Sequence, residues 1–215
     1  MAKTNKEKQD QRFVPGSGSM AIQMAAAHLA VAPFHRWYNQ LTIQGRDNIP
    51  KKEPVLVVSN HLSYFDPPIV VTSVDRPTAF VAKKELFRNP LLATLITVLS
   101  AIEIDREKPS KASIKTIRQA FRSGWCVGIF IEGTRNKTPG TLGKPHLGPA
   151  YLAWSNKVNI LPAGVLNTNK RFGGATIEFG KLIEPKEDLE GTTWEVMESI
   201  AKLIGWGLPE RVILR

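Results

Sequence analysis

Apolar residues along this chain follow two patterns: short continuous runs typical of buried strands, and segments with helical spacing. The strand-like runs are residues 41–45, 55–58, 78–82, 101–106, 125–131, 158–165 and 175–179. The helical segments are residues 20–38, 67–74, 86–100, 110–124, 150–156 and 193–205. Strands that alternate with helices predict a single α/β domain with a largely parallel central sheet flanked by helices.

The first forty residues depart from this alternation. Residues 1–19 are charged and then rich in Gly and Ser, which predicts a disordered basic tail before a helical segment at residues 20–40. Ser19 is the expected N-cap of that helix, and residues 35–38 give it a basic, aromatic end. Such an end suits a membrane–water interface, and it equally suits a helix packed on its own core. The main domain is predicted over residues 41–215.

The strand at residues 55–58 ends in a polar turn with the sequence Asn-His-Leu-Ser-Tyr-Phe-Asp-Pro-Pro. On a straight helix His61 and Asp66 would lie about 140° apart, so only a bend pairs their side chains. A carboxylate bonded to one imidazole nitrogen leaves the other free to take a proton from a hydroxyl. A surface histidine beside a helix-capping aspartate is the alternative.

The strand at residues 125–131 leads into a second polar turn, with Phe130 ahead of it. The turn contains Glu132, Gly133, Thr134 and Arg135. Gly133 allows an oxygen-rich ligand to approach the backbone, Thr134 adds a hydroxyl, and a guanidinium binds phosphate through two parallel hydrogen bonds. Glu132 is expected to hold Arg135 or a substrate hydroxyl in place.

Charge and cysteine content narrow the partners. Lys and Arg number 29 against 19 Asp and Glu, a net charge of +10, which favours nucleic acid, anionic lipid or a phosphorylated substrate. Neither finger-type Cys/His spacing nor an RRM motif is present, so nucleic acid is not expected. The single cysteine, Cys126, allows no internal disulfide and no cysteine-based metal site. No run reaches the length of a membrane span, and we expect a cytoplasmic protein.

Four segments in order resemble the motifs of the glycerolipid acyltransferases. Residues 60–66 resemble the Asn-His-x-x-x-x-Asp motif, and residues 130–135 resemble Phe-x-Glu-Gly-Thr-Arg. Residues 104–106, Ile-Asp-Arg, and the apolar run into proline at residues 158–165 resemble two further motifs. Residues 145–148, Pro-His-Leu-Gly, depart from the Phe-Lys-Lys-Gly-like element of the family.

This resemblance implies an enzyme of phospholipid biosynthesis with a glycerol-phosphate acyltransferase-like fold. The expected reaction moves an acyl chain from acyl-CoA or acyl carrier protein to the 2-hydroxyl of lysophosphatidic acid, giving phosphatidic acid, with no cofactor and no metal. His61 is the expected base and Asp66 its support. The residues expected at the substrate phosphate are Arg106, Lys83 and the turn from Glu132 to Arg135.

Other interpretations remain open from the sequence. In the first, the protein is an acyltransferase that acts on glycerol-3-phosphate or another lysolipid. In the second, it is a thioesterase in which the same base activates water. A non-catalytic lipid-binding protein would use the basic positions Lys111, Lys115, Arg118 and Arg122, which also suit a solvated helix face. A metal hydrolase would need His146 with His61, Asp66 and Glu132. We expect peripheral association with the anionic cytoplasmic face of a membrane.

Overall fold

The computed structural model describes residues 17–88, 96–97, 100–105, 110–211 and 214, with side chains described from residue 20 onward. The strands of this part of the chain are β1 (Thr42–Gln44), β2 (Val55–Ser59), β3 (Thr78–Lys83), β4 (Ala101–Ile104), β5 (Cys126–Phe130), β6 (Asn159–Leu166) and β7 (Thr176–Phe179). They form one sheet in the order β1-β7-β6-β2-β5-β3-β4. Every neighbouring pair is parallel except β6 and β7. The predicted α/β domain with a largely parallel sheet is confirmed.

Helices cover both faces of the sheet. They are α1 (Ser17–Ala26), α2 (Ala32–Tyr38), α3 (Asp66–Val74), α4 (Lys111–Arg122), α5 (Gly148–Asn156) and α6 (Leu189–Ile204). Short 3₁₀ helices lie at Arg46–Asn48 and Lys84–Arg88. None of the helices in the described residues is both long and apolar enough to cross a membrane.

The central strand β2 is buried on both sides. Leu56 and Val58 point into a core shared with α4, α5 and α6, whereas Val55 and Val57 point into a core shared with α3. Successive side chains of a strand face opposite sides of the sheet, so a continuous apolar run is what a doubly covered strand requires. The run at residues 55–58 therefore marked the middle of the sheet.

The N-terminal helix begins earlier than predicted and contains an irregular turn. It starts at Ser17, so residues 17–19 belong to the helix rather than to the tail, and Ser19 is not its N-cap. A π turn, Ala27–Val31, separates α1 from α2 just before Pro33. Proline lacks an N–H and its ring crowds the preceding turn, which accounts for the irregularity there. The rest of the predicted tail, residues 1–16, lies outside the described residues.

A buried glutamine attaches this helix to the sheet. The Gln23 side chain donates to the carbonyl of Thr78 at 2.7 Å and accepts from the N–H of Thr78 at 2.9 Å. Thr78 is the first residue of β3, so both groups of its peptide backbone find partners before the strand ladder begins. The N-terminal helix is thus fixed over the α3 face of the sheet.

Two further boundary predictions have clear outcomes. Ser110 caps α4 as expected, with its hydroxyl accepting from the N–H of Ser113 at 3.0 Å. The predicted cap of the last helix at Thr192 or Thr193 is wrong, because Asp188 caps α6 through the N–H of Gly191 at 2.9 Å. Most of the predicted helix at residues 86–100 lies outside the described residues.

Candidate active site

The turn after β2 brings His61 and Asp66 into contact. His61 Nδ1 lies 2.7 Å from Oδ2 of Asp66, which also accepts the N–H groups of Leu62 at 2.5 Å and Ser63 at 2.7 Å. Asp66 opens α3, whose first turn also contains Pro67, and its carboxylate is fully buried. One carboxylate thus shapes the turn and holds the imidazole. The two side chains are in contact, and the His61 side chain is mostly buried, which differs from the alternative of a surface histidine beside a helix-capping aspartate.

The imidazole of His61 is held flat against an aromatic ring. It stacks on Phe130 with the ring centroids 3.8 Å apart and the planes 3° from parallel. A carboxylate accepts hydrogen bonds, so Nδ1 is the ring nitrogen that donates to Asp66, and a neutral imidazole in this tautomer presents a lone pair at Nε2. The His61 side chain is 14% exposed, enough for a substrate to reach it. Phe130 belongs to a sequence motif, but the motif does not predict its stacking on His61.

Glu132 supports the main chain around His61 rather than Arg135. One carboxylate oxygen accepts the N–H of His61 at 3.2 Å, and the other accepts Asn136 Nδ2 at 2.8 Å and the N–H of Gly143 at 2.7 Å. The side chain is buried, and this burial raises the pKa of the Glu132 carboxyl, an effect the three donors oppose. Arg135 is not among these partners, and the expected contact of Glu132 with a substrate hydroxyl stays a prediction.

Asn60 connects β2 to the extended end of β6. Its amide nitrogen donates to the carbonyl of Val165 at 3.0 Å, and its amide oxygen accepts the N–H of Val165 at 2.8 Å. Asn60 is fully buried, and a side-chain amide can replace one step of a strand ladder because it offers both a donor and an acceptor. The residue next to His61 is thereby fixed to a neighbouring strand.

The predicted phosphate-binding residues are spread around His61. Thr134 and Arg135 are exposed, and the Arg135 guanidinium lies 3.9 Å from the ring centroid of Tyr64. Gly133 adopts a φ of 66°, a left-handed conformation that favours glycine. Lys83 is exposed at the end of β3, 3.5 Å from Glu85. Arg106 lies outside the described residues, so its position relative to the others stays a prediction.

An apolar cavity of about 600 Å³ opens beside His61. Its walls come from the N-terminal helix, α3, β3 and the ends of β4 and β5, with His61, Phe130 and Lys83 among the lining residues. The apolar lining residues include Val31, Phe34, Val71, Val81 and Ile96. A cavity of this size and composition suits an elongated apolar group.

Three buried polar residues near Asp66 were not anticipated from the sequence. Thr168 donates its hydroxyl to Oδ1 of Asp66, and Asn39 and His35 continue the network into α2. Their only sequence signal is position, since Thr168 follows a strand end and the other two end a helix. In the described residues, no three His, Cys, Asp or Glu side chains cluster as metal ligands.

The chain resembles known acyltransferases in sequence and in fold. A family model described as Acyltransferase matches residues 40–166. A 1-acyl-sn-glycerol-3-phosphate acyltransferase of Borreliella burgdorferi is 32% identical over 136 residues, covering 62% of this chain and 54% of that protein. The corresponding protein of Bacillus subtilis is 29% identical over 122 residues, covering 56% of this chain and 60% of its own length. The chain thus matches little more than half the length of these relatives.

A solved structure shares the fold. The crystal structure of the 1-acyl-sn-glycerophosphate (LPA) acyltransferase PlsC from Thermotoga maritima matches with a TM-score of 0.66, covering 84% of this chain and 80% of that one. The two sequences are 20% identical over the match, so this likeness concerns the fold.

Proposed function

Because this chain belongs to the acyltransferase family, we propose that it transfers an acyl chain from a thioester to the 2-hydroxyl of lysophosphatidic acid, giving phosphatidic acid. The observation that carries the proposal is the position of His61, which is bonded to Asp66 on one side and borders an apolar cavity on the other. A base beside an apolar cavity is the arrangement that acylation of a hydroxyl needs.

His61 and Asp66 divide the proton transfer between them. Nε2 of His61 takes the hydroxyl proton while the acceptor oxygen attacks the thioester carbonyl. Collapse of the tetrahedral intermediate breaks the carbon–sulfur bond, and the imidazolium returns the proton to the departing thiolate. Asp66 stabilises the imidazolium through Nδ1. General-base catalysis of this kind contributes roughly 10²- to 10⁴-fold in rate.

The remaining substrate contacts follow from the surroundings of His61. The acyl chain occupies the apolar cavity, with its reactive end at His61 and Phe130. The acceptor phosphate lies towards Arg135, whose guanidinium offers two parallel donors and is already oriented by Tyr64. Lys83 adds positive charge at the end of β3. Arg106 is proposed to contribute a further positive charge to the acceptor phosphate. The donor is acyl-CoA or acyl carrier protein.

A membrane surface is the proposed source of the lipid substrate. Large apolar side chains of the N-terminal helix face solvent, with Leu29 81%, Ile22 65% and Trp37 63% exposed. Trp37 contacts Phe172 edge-on at 5.6 Å, and the Arg171 guanidinium lies 4.8 Å from the Phe172 ring centroid. Aromatic and basic side chains together suit an anionic lipid interface. Because the whole chain carries a net charge of +10, we propose that this surface meets the anionic cytoplasmic face of a membrane.

The test measures free thiol and product lipid together. Wild type and His61→Ala are supplied with acyl-CoA, and separately with acyl-acyl carrier protein, in the presence of lysophosphatidic acid, glycerol-3-phosphate or neither. We expect thiol release and phosphatidic acid only with lysophosphatidic acid, and a loss of about 10²-fold or more in His61→Ala. His146→Ala is the matched control and is expected to retain activity, because His146 is exposed and the hydrogen bond from its backbone N–H to the carbonyl of Ile131 does not involve the side chain.

Each other outcome contradicts part of the proposal. Thiol release without an acceptor indicates a thioesterase, and product from glycerol-3-phosphate alone changes the acceptor. Full activity in His61→Ala removes the proposed base. Salt-sensitive binding to anionic vesicles, unchanged in His61→Ala and without transfer from either donor, indicates a lipid-binding protein instead.

A further inference from the structure

The two oxygens of the Asp66 carboxylate have separate partners. Oδ2 faces His61 Nδ1 and the N–H groups of Leu62 and Ser63. Oδ1 accepts the hydroxyl of Thr168, a fully buried residue in the loop after β6, and lies 3.5 Å from the hydroxyl of Ser63. Thr168 is therefore the closest partner of the oxygen that does not face the base.

Rotation of this carboxylate needs a restraint. The terminal torsion of an aspartate is broad, and it is not locked into one staggered position as a bond between tetrahedral carbons would be. Three donors share Oδ2. If the carboxylate rotated about its Cβ–Cγ bond, the hydrogen bonds from these donors would become less linear. A donor on the opposite oxygen fixes the plane of the group, and Thr168 supplies it.

Thr168 is itself held from two directions. Its carbonyl accepts the hydroxyl of Ser63 at 3.2 Å and the side-chain amide of Asn39 at 3.4 Å. Asn39 ends the N-terminal helix and is fully buried, and its amide oxygen lies 2.7 Å from His35 Nδ1. The backbone carbonyl of Asn39 accepts the N–H of Ala175 at 2.8 Å. The loop after β6 is thus pinned between the turn after β2 and the end of α2.

The far end of this network is an uncharged histidine. His35 is 1% exposed, and burial lowers its pKa more than its bond to Asn39 and the charge of Asp66 raise it. A neutral imidazole that donates from Nδ1 keeps the Asn39 amide oriented with its nitrogen towards Thr168. In the hydrogen-bond network that runs from His35 through Asn39 and Thr168 to Asp66, each donor then faces an acceptor.

We propose that Thr168 is a positioning residue, whose hydroxyl fixes the Asp66 carboxylate so that Oδ2 faces His61, and that Asn39 holds Thr168 in place from the N-terminal helix. This inference rests on the proposed acyl transfer, since it concerns the support of the same base. Neither residue touches the reacting atoms.

The decisive variant is Thr168→Val, which keeps the shape of the side chain and replaces the hydroxyl by a methyl group. We expect kcat to fall roughly tenfold to hundredfold, with KM for acyl donor and acceptor changed less than about twofold, because a supporting hydrogen bond is lost while the substrate contacts remain. Thr168→Ser, which keeps the hydroxyl, restores most of kcat. Asn39→Ala, which only loosens Thr168, gives a smaller loss of kcat.

Thr193→Val is the matched control. Thr193 is also buried, and its hydroxyl donates to the carbonyl of Leu189 at 2.7 Å within α6. It should lose stability against urea in the manner of Thr168→Val and keep the wild-type kcat. A purely structural role for Thr168 predicts the same behaviour for both variants.

The outcomes separate this inference from the proposed function. If His61→Ala keeps its activity, the proposed base fails and the role of Thr168 fails with it. If His61→Ala is inactive while Thr168→Val keeps the wild-type kcat, only the positioning role is overturned. If Thr168→Val does not fold, Thr168→Ser decides, because a folded serine variant with a hundredfold loss of kcat contradicts a role for the hydroxyl.

Discussion

Two buried carboxylates hold His61, one by its ring and the other by its main chain. Asp66 faces Nδ1 of the imidazole, a group that becomes charged in the proposed reaction. Glu132 faces the N–H of His61 and that of Gly143, groups whose charge does not change. Both carboxylates are buried and both accept several hydrogen bonds. Burial and hydrogen bonding therefore do not distinguish the carboxylate proposed to support catalysis from the one that supports the main chain, whereas the partner atom does.

Asp66→Asn should have the largest effect on this contrast. An asparagine can keep its oxygen towards the N–H groups of Leu62 and Ser63, and its NH₂ can face Thr168, whose hydroxyl then turns to accept. The fold persists while the charge beside the imidazole is lost. We expect kcat to fall roughly 10²- to 10⁴-fold. Steady-state kinetics with unfolding curves checks this, and a loss of activity explained by unfolding alone would contradict it.

Glu132→Gln should act mainly on stability. Every partner of this carboxylate is a donor, so the NH₂ of glutamine must face one of them, and we expect a loss of about 1–3 kcal/mol in the free energy of unfolding. Glu195→Gln, at a half-exposed ion pair with Lys186, is the matched control and should change stability by about 0–1 kcal/mol.

The comparison of wild type with Glu132→Gln also predicts how the free energy of unfolding changes with pH. Because the pKa of Glu132 is raised in the folded state, its contribution to stability is complete below the unfolded pKa of about 4.3 and is lost as pH rises through the folded value. Glutamine does not titrate. The difference in unfolding free energy between wild type and Glu132→Gln should therefore narrow as pH rises above about 4.3, measured by urea unfolding. A difference that widens with pH would contradict this sign.

Gly143→Ala should give the smallest effect, confined to Glu132. A Cβ at this position would lie 2.6 Å from Oε2 of Glu132, which its own hydrogen bonds hold in place. We expect a loss of about 1 kcal/mol in unfolding free energy, since the end of the side chain can yield slightly. Gly148→Ala, where a Cβ meets nothing within 4 Å, is the control. Equal unfolding midpoints for the two variants would show that Glu132 is not tightly held.

The sequence predicted the parts of the fold and site that depend on local pattern. The apolar run at residues 55–58 identified the central strand because a doubly buried strand needs no polar side. The bend between His61 and Asp66 followed from the two prolines and the helical period. The helix cap at Ser110 was equally local, since the capped N–H lies three residues away.

The contacts that the sequence did not predict join distant segments. Thr168 lies 102 residues beyond Asp66, and neither residue carries a pattern that announces the other. Glu132 lies three residues before Arg135 in a motif, yet two of its three partners, the N–H groups of His61 and Gly143, come from other segments. The sequence predicts too late a start for α6, because Thr192 and Thr193 are also good N-cap residues. The N-cap in the structure is Asp188, which accepts from the N–H of Gly191 three residues later.

The strand order also determines when Asp66 can gain its partner Thr168 during synthesis. Among the described strands β1 is made first, but its neighbour is β7, with Thr42 beside Thr176. The loop between β6 and β7 contributes Thr168 to Asp66. A nascent chain that has not yet released this loop from the ribosome therefore lacks both the partner of β1 and the support of Asp66 by Thr168. The N-terminal helix emerges before all seven described strands, so its exposed apolar residues are available before the sheet is assembled.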